Sequence, residues 1–90
     1  MALTYTVVLK REEDGRYSVS VPALKGCHTW GHNLPEALRM AEEAILAYVE
    51  SLREDGEAPP PDSHQVAFDM GEAREAFVYR VTVVEEAAVA

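Results

Sequence analysis

Residues 22–37 read Pro22-Ala-Leu-Lys-Gly-Cys-His-Thr-Trp-Gly-His-Asn-Leu-Pro-Glu-Ala37. The stretch links an alternating apolar run to a strongly periodic one, so it fixes the local architecture as strand, tight bend, short strand and capped helix. Pro22 has no N–H to give to a ladder and ends the strand before it. Gly26 allows a bend, and Cys27 to Gly31 reads as a short strand. Its small residues, Cys27 and Thr29, share one face, while His28, Trp30 and His32 share the other. The small face is predicted to lie under the helix, where backbones can approach closely. Asn33 is a good N-cap with Glu36 three residues on, a capping box in which Asn replaces Ser or Thr, and Pro35 falls in the first turn.

Upstream, Leu3, Tyr5, Val7 and Leu9 alternate with Thr4, Thr6, Val8 and Lys10, the period of a half-buried strand with its odd positions inward. Asp14-Gly15 supplies the positive φ of a hairpin turn. Tyr17, Val19 and Val21 then alternate with Ser18 and Ser20 as a second strand. Downstream, Leu34, Leu38, Ala41, Ile45, Tyr48 and Leu52 recur at helical spacing, widened by Ala37, Ala44 and Val49. Glu42, Glu43, Glu50 and Glu54 fill the opposite side. The helix is predicted to stop near Asp55, at Gly56. Pro59-Pro60-Pro61 stiffens the connector that follows. Residues 65–75 are ambiguous, with a short strand at Val66 to Phe68 and a turn at Gly71 as one reading. Phe77, Tyr79, Val81 and Val83 mark a final strand, and Glu85 to Ala90 reads as a frayed tail.

The order β-β-β-α-β gives an α+β class: an antiparallel meander under one helix, with the last strand beside the first. A right-handed crossover would lay that last strand parallel to the first, in spatial order third, second, first, fourth. One helix covers one face, so the other meets water or a partner. The reading is one domain over residues 1–84 with a short tail over 85–90.

Net charge is −8, from sixteen Asp and Glu against eight Lys and Arg. That balance lacks the electrostatic footprint of a nucleic-acid binder and favours a basic partner. A 90-residue chain has a thin core, so a homo-oligomer, a dimer or tetramer, is expected. The single cysteine excludes an intrachain disulfide. No signal peptide or bilayer-length apolar run is visible, so the expectation is a cytoplasmic protein without membrane contact.

Cys27 with His28 and His32 falls short of a metal set: zinc usually takes four ligands, and neighbours on a strand point to opposite faces. Glu12, Glu13 and Asp14 sit together in a turn where solvated charge is normal. No phosphate loop or nucleophile triad can be assembled. The reading is therefore no catalytic residue, no metal, no cofactor and no enzyme. Trp30 is the residue whose position asks for a reason. Alternation puts it away from the helix, near Thr6, Val8 and Arg16, either as an interface anchor or partly covered by neighbours.

The segment from Tyr5 to Pro61 resembles the HicB-like antitoxin family. The residues that carry the likeness are the Asp14-Gly15 hairpin, the run Tyr17-Ser18-Val19-Ser20-Val21-Pro22, Leu24, Gly26-Cys27, Thr29 and Gly31. The helix start, Leu34-Pro35-Glu36-Ala37, and its end at Asp55-Gly56 followed by prolines fit the same pattern. The resemblance implies a partial ribonuclease-H-like fold. It also implies a role in neutralising HicA, a small basic toxin that cleaves messenger RNA with a histidine on a double-stranded-RNA-binding-type fold, by blocking that site. Many members append a DNA-binding segment. Here only the acidic or small residues Glu85 to Ala90 follow the last strand, so direct contact with nucleic acid is not expected. The other function reading is a solitary oligomeric scaffold without a toxin. The contact residues expected are Trp30 and His28, with Glu12, Glu13 and Asp14 facing a cationic patch.

Overall fold

In the computed structural model, which describes residues 1–63, 65–67 and 69–86, the alternating segments form the strands β1 (Ala2–Arg11), β2 (Tyr17–Ser20), β3 (His28–Gly31) and β4 (Glu75–Val84), and the periodic segment forms the helix α1 (Leu34–Glu54). They make one four-stranded sheet in the order β3-β2-β1-β4 with α1 against it, a single α+β unit. Gly15, at φ +90°, closes the β1–β2 hairpin, and the Glu12 N–H donates to the Arg16 carbonyl at 2.8 Å.

Both ends of α1 are built as the sequence predicts, with one change. Asn33 Oδ1 accepts the Glu36 N–H at 2.9 Å. The Glu36 carboxylate, however, takes the His32 N–H at 3.0 Å instead of that of Asn33, so the return arm of the box reaches one residue further back. At the other end Gly56, at φ +75°, donates to the Arg53 carbonyl at 3.0 Å and Glu57 to that of Leu52 at 2.8 Å, the paired bonds of a Schellman stop.

The core lies between α1 and the odd-numbered side of the sheet. Tyr5, Val7, Leu9, Val19, Val81 and Val83 meet the helix line Ala37, Ala41, Ile45 and Val49, all buried. That line, and not the Leu34–Leu38 edge, is the centre of the helix's buried face; Leu34, Leu38 and Tyr48 flank it, partly buried. Gly31 explains the rotation. A Cβ there would lie 2.5 Å from the Ala37 nitrogen, so the helix sets its small side chains directly on β3. Each large apolar side chain buried in this way contributes about 1.5–3 kcal/mol.

Three expectations need correction. First, β4 runs antiparallel to β1, not parallel, with Tyr5 opposite Val81 and Arg11 opposite Glu75. The crossover rule assumes that the helix alone makes the return. Here the connector makes a second pass along β1. The Tyr5 hydroxyl donates to the Pro60 carbonyl at 2.6 Å, Thr6 bonds Asp62, Lys10 Nζ donates to the Asp69 carbonyl at 2.8 Å and the Arg74 N–H to the Arg11 carbonyl at 2.8 Å. The chain thus re-enters at the hairpin end. No strand forms over residues 65–67, Phe68 lies outside the described residues, and the turn at Gly71 is present.

Second, the face away from the helix is not wholly open. Thr6 and Val8 point there and are buried, Val8 lying between the two residues that the connector bonds, Thr6 and Lys10. Third, Glu85 is not frayed. Its carboxylate pairs with Arg53 at 2.9 Å and its N–H donates to the Met1 carbonyl at 2.8 Å, while residues 87–90 lie outside the described part.

Asp62 is the anchor of the second pass. It accepts the Thr6 N–H and the Thr6 hydroxyl, each at 2.8 Å. Partial burial pushes its carboxyl up, but the Thr6 bonds, the Ser63 N–H and the charge of Arg80 together hold it below the ordinary carboxylate range. A carboxylate held low when folded adds stability above its unfolded value of about 3.9, and that stability is lost as pH falls through the folded value.

Two outcomes follow from this packing. Gly31→Ala lowers unfolding free energy by about 1–3 kcal/mol through overpacking against Ala37, read as a lower urea midpoint with an unchanged circular dichroism spectrum. Asp62→Ala costs about 1.5–3 kcal/mol at neutral pH. Its deficit against wild type shrinks as pH falls below about 4, as thermal melts across that range would record.

Candidate functional site

Alternation along β3 sends Thr29 and Gly31 toward the helix and His28 and Trp30 outward, and both outward residues are exposed, Trp30 at 47%. Tryptophan is among the residue types that most often anchor an interface. Its surroundings are specific. The Arg16 guanidinium lies over the indole, 5.2 Å from the ring centroid, a cation–π arrangement. The His32 ring meets the indole edge-on at 4.9 Å. Arg16 is held in turn by Asp14, with Nε 2.7 Å from Oδ2 and the Arg16 N–H 3.0 Å from Oδ1. Those bonds keep the Asp14 carboxyl below its ordinary range. Asp14, Arg16, Trp30 and His32 therefore form one connected patch running from the hairpin tip onto the sheet.

The sequence places Trp30 near Thr6, Val8 and Arg16. Arg16 is its neighbour, but the register sets Ser18 directly opposite Trp30 and Lys10 opposite Ser18, while Val8 pairs with Ser20 and Ser20 with His28. Thr6 and Val8 thus lie further along the sheet. His28 shares the outward face of Trp30 but belongs to the next outward row.

The three hairpin acids do not form a bare acidic tip. Glu12 accepts the Ser18 hydroxyl at 2.8 Å, Glu13 stands 4.0 Å from Arg74, and Asp14 is committed to Arg16. Arg11 adds a pair with Glu75 at the same end. A run of uncompensated charge lies along the outer side of α1 and its end, where Glu42, Glu43, Glu50, Glu54 and Asp55 are exposed and none has an ion-pair partner among the described residues. That acidic side was legible from helical periodicity. Arg16 as a neighbour of Trp30 was legible from the same kind of alternation, whereas the stacking of its guanidinium on the indole was not, because it depends on the cross-strand register. No helix among the described residues is long and apolar enough to cross a membrane.

Cys27 is buried on the helix side, where burial pushes its thiol up and away from reactivity. His28, the next residue, is exposed on the far side of the sheet. The fold separates the two residues that a thiol or metal site would have to bring together.

A family model described as the HicB-like antitoxin of bacterial toxin-antitoxin systems matches residues 5–89. A UPF0150 protein of Thermoplasma acidophilum is 49% identical over 61 residues, 68% of this chain and 88% of that protein. A UPF0150 protein of Synechocystis is 43% identical over 58 residues, 64% of this chain and 73% of the other. Among solved structures, a toxin-antitoxin complex from Streptococcus pneumoniae shares the fold at a TM-score of 0.70 and 22% identity, over 93% of this chain and 70% of that one. The antitoxin HicB of Burkholderia pseudomallei superposes at 0.65 with 25% identity, over 98% of this chain and 74% of that one.

The Arg16 support is open to direct measurement. Arg16→Ala raises the Asp14 carboxyl pKa toward its ordinary value, though not fully, because the backbone N–H at position 16 still reaches that carboxylate. A carbon-detected NMR titration of Asp14 reports the shift.

Proposed function

Because the chain belongs to the HicB-like antitoxin family, we propose that it binds and masks a basic HicA-type toxin that cleaves messenger RNA, acting in the cytoplasm by occlusion and not by catalysis. The observation that supports this reading within the fold is Trp30, half-exposed on the sheet face that α1 leaves free and braced by Arg16 and His32. Trp at the centre of an interface is the residue type that most often dominates binding energy. His28 extends the contact along β3, and Glu12, Glu13 and Asp14 border it at the hairpin. Bracing lowers the cost of binding, since an indole already fixed by its neighbours loses less freedom when a partner docks.

Charge supplies the approach. With a net charge of −8 and its unpaired acids along α1, the chain attracts a basic partner from a distance and raises its rate of encounter, an effect that salt screens. The sheet-face patch then provides the short-range contact. The two contributions separate experimentally, because steering acts on association rate and an aromatic anchor on dissociation rate.

The test is co-expression with the HicA-type protein encoded nearest to this chain's gene, followed by co-purification and a messenger-RNA cleavage assay. The expected result is a complex that slows cleavage and weakens at high salt. Trp30→Ala should bind roughly 30-fold more weakly, the scale of an interface hot spot, with an unchanged melting midpoint. Failure to bind or inhibit any HicA-type protein of the same genome overturns the reading. A loss of stability on removing Trp30 would instead assign that residue to the interior.

A further inference from the structure

We propose that Arg16 determines specificity on the Trp30 face, its guanidinium receiving one carboxylate of the protein partner in a two-point contact beside the indole. The inference rests on the toxin reading and names what that partner has to present.

Arg16 is held at three points. Its backbone N–H and its Nε both donate to Asp14, at 3.0 and 2.7 Å, and its guanidinium lies over the Trp30 ring, 5.2 Å from the centroid. A side chain fixed in this way loses little freedom when it binds. The ion pair with Asp14 spends only the Nε–H of the guanidinium. Among the described residues nothing accepts from its two terminal nitrogens, and the side chain is 55% exposed. A planar fork with its terminal N–H groups unspent calls for an acceptor that offers two oxygens at once. A carboxylate does so, whereas a backbone carbonyl or a hydroxyl offers one.

The surroundings select the same sign. Even-numbered positions of the four strands point away from the helix. Lys10 and Arg80 are the only charged residues among those positions, although the chain has sixteen Asp and Glu. Three acids border this face, and each already holds a donor: Glu12 takes the Ser18 hydroxyl, Asp14 takes Arg16, and Asp62 takes Thr6. The exposed acids of α1 belong to the other side of the sheet. A carboxylate that reaches Trp30 therefore meets an aromatic ring and a cation, and no unspent acid at short range.

The whole-chain charge then separates two sources of such an anion. A net charge of −8 repels a phosphate chain. A single carboxylate on a basic protein is instead carried in by the attraction of its other residues. The partner's cations meet the hairpin acids while its one acid meets Arg16, and opposite signs set side by side fix the orientation of docking. Lysine would not replace Arg16, since an ammonium is a point charge with no plane to stack and no fork.

The test is a coupling measurement on the complex with the HicA-type protein. Each Asp and Glu of that protein is changed to Asn or Gln, and each variant is titrated against the wild-type chain and against Arg16→Gln. The expected result is one partner position whose replacement weakens wild-type binding roughly tenfold or more and leaves binding by Arg16→Gln unchanged. Arg16→Lys, which keeps the charge and loses the fork, should bind nearly as weakly as Arg16→Gln. A complex in which no partner carboxylate couples to Arg16, or full binding by Arg16→Lys, overturns this inference and leaves the toxin reading standing. Were Arg16 only a brace for Trp30, Arg16→Gln would weaken binding with no coupled carboxylate. Retention of an oligoribonucleotide through Arg16 would assign the fork to phosphate and overturn the inference as well. Absence of any complex with the wild-type chain removes the toxin reading and this inference together.

Discussion

One backbone N–H sets the course of the second half of the chain. The β1–β2 register, continued past Val8 and Ser20, would place Pro22 opposite Thr6, and proline has no N–H with which to keep up the exchange. The ladder ends, and the Thr6 amide faces an edge with no strand beside it. A buried amide without a partner costs about 1–3 kcal/mol, and Thr6 is buried. Asp62 resolves this with a charge-assisted pair of bonds, one to the amide and one to the hydroxyl. With Asp62 fixed there, the connector runs along β1 toward the hairpin, and β4 has to enter from that end. The antiparallel sense of β4, the covered stretch of β1 and the exposed outer edge all descend from this arrangement.

The helix contributes the complementary constraint. Its alanines rest on β3 only because position 31 has no side chain. That close seat places all of the helix on one side of the sheet and leaves β3 with an uncovered outer surface. Alternation on a four-residue strand puts Thr29 and Gly31 on the inner side and His28 and Trp30 on the outer side, so the small residues are the ones that meet the helix. Packing on one face and recognition on the other are two results of the same alternation.

The parts of this structure that were legible in the sequence are those written in local pattern. Period-two runs located β1, β2 and β4, a cap and a glycine bounded α1, and alternation sent Trp30 outward. The strand order was also readable. The direction of β4 was not, since it rests on a bond between residues 56 positions apart, Thr6 and Asp62, for which no periodicity gives a sign. For the same reason the burial of Thr6 and Val8 was hidden: the strand itself looks half-polar, and the cover comes from an irregular segment. At the site, the outward set His28 and Trp30 was readable, but its electrostatics were not. Glu12, Glu13 and Asp14 look like a free acidic tip until Ser18, Arg74 and Arg16 are placed beside them, and Arg74 arrives from the far end of the chain.

Trp30 is the only tryptophan in the chain, and it stands outside the hydrophobic core with a guanidinium over one face. The molecule therefore carries a built-in optical reporter that watches one surface and little else. Because the indole is already half-exposed and outside the core in the native state, its emission would change less than that of a buried tryptophan when the core melts, so a fluorescence-monitored unfolding curve would be muted where the tyrosines and the helix signal are not. A visitor that displaces water from the exposed part of the ring would instead move the emission sharply. In this chain, intrinsic fluorescence reads occupancy of a face before it reads the integrity of the fold.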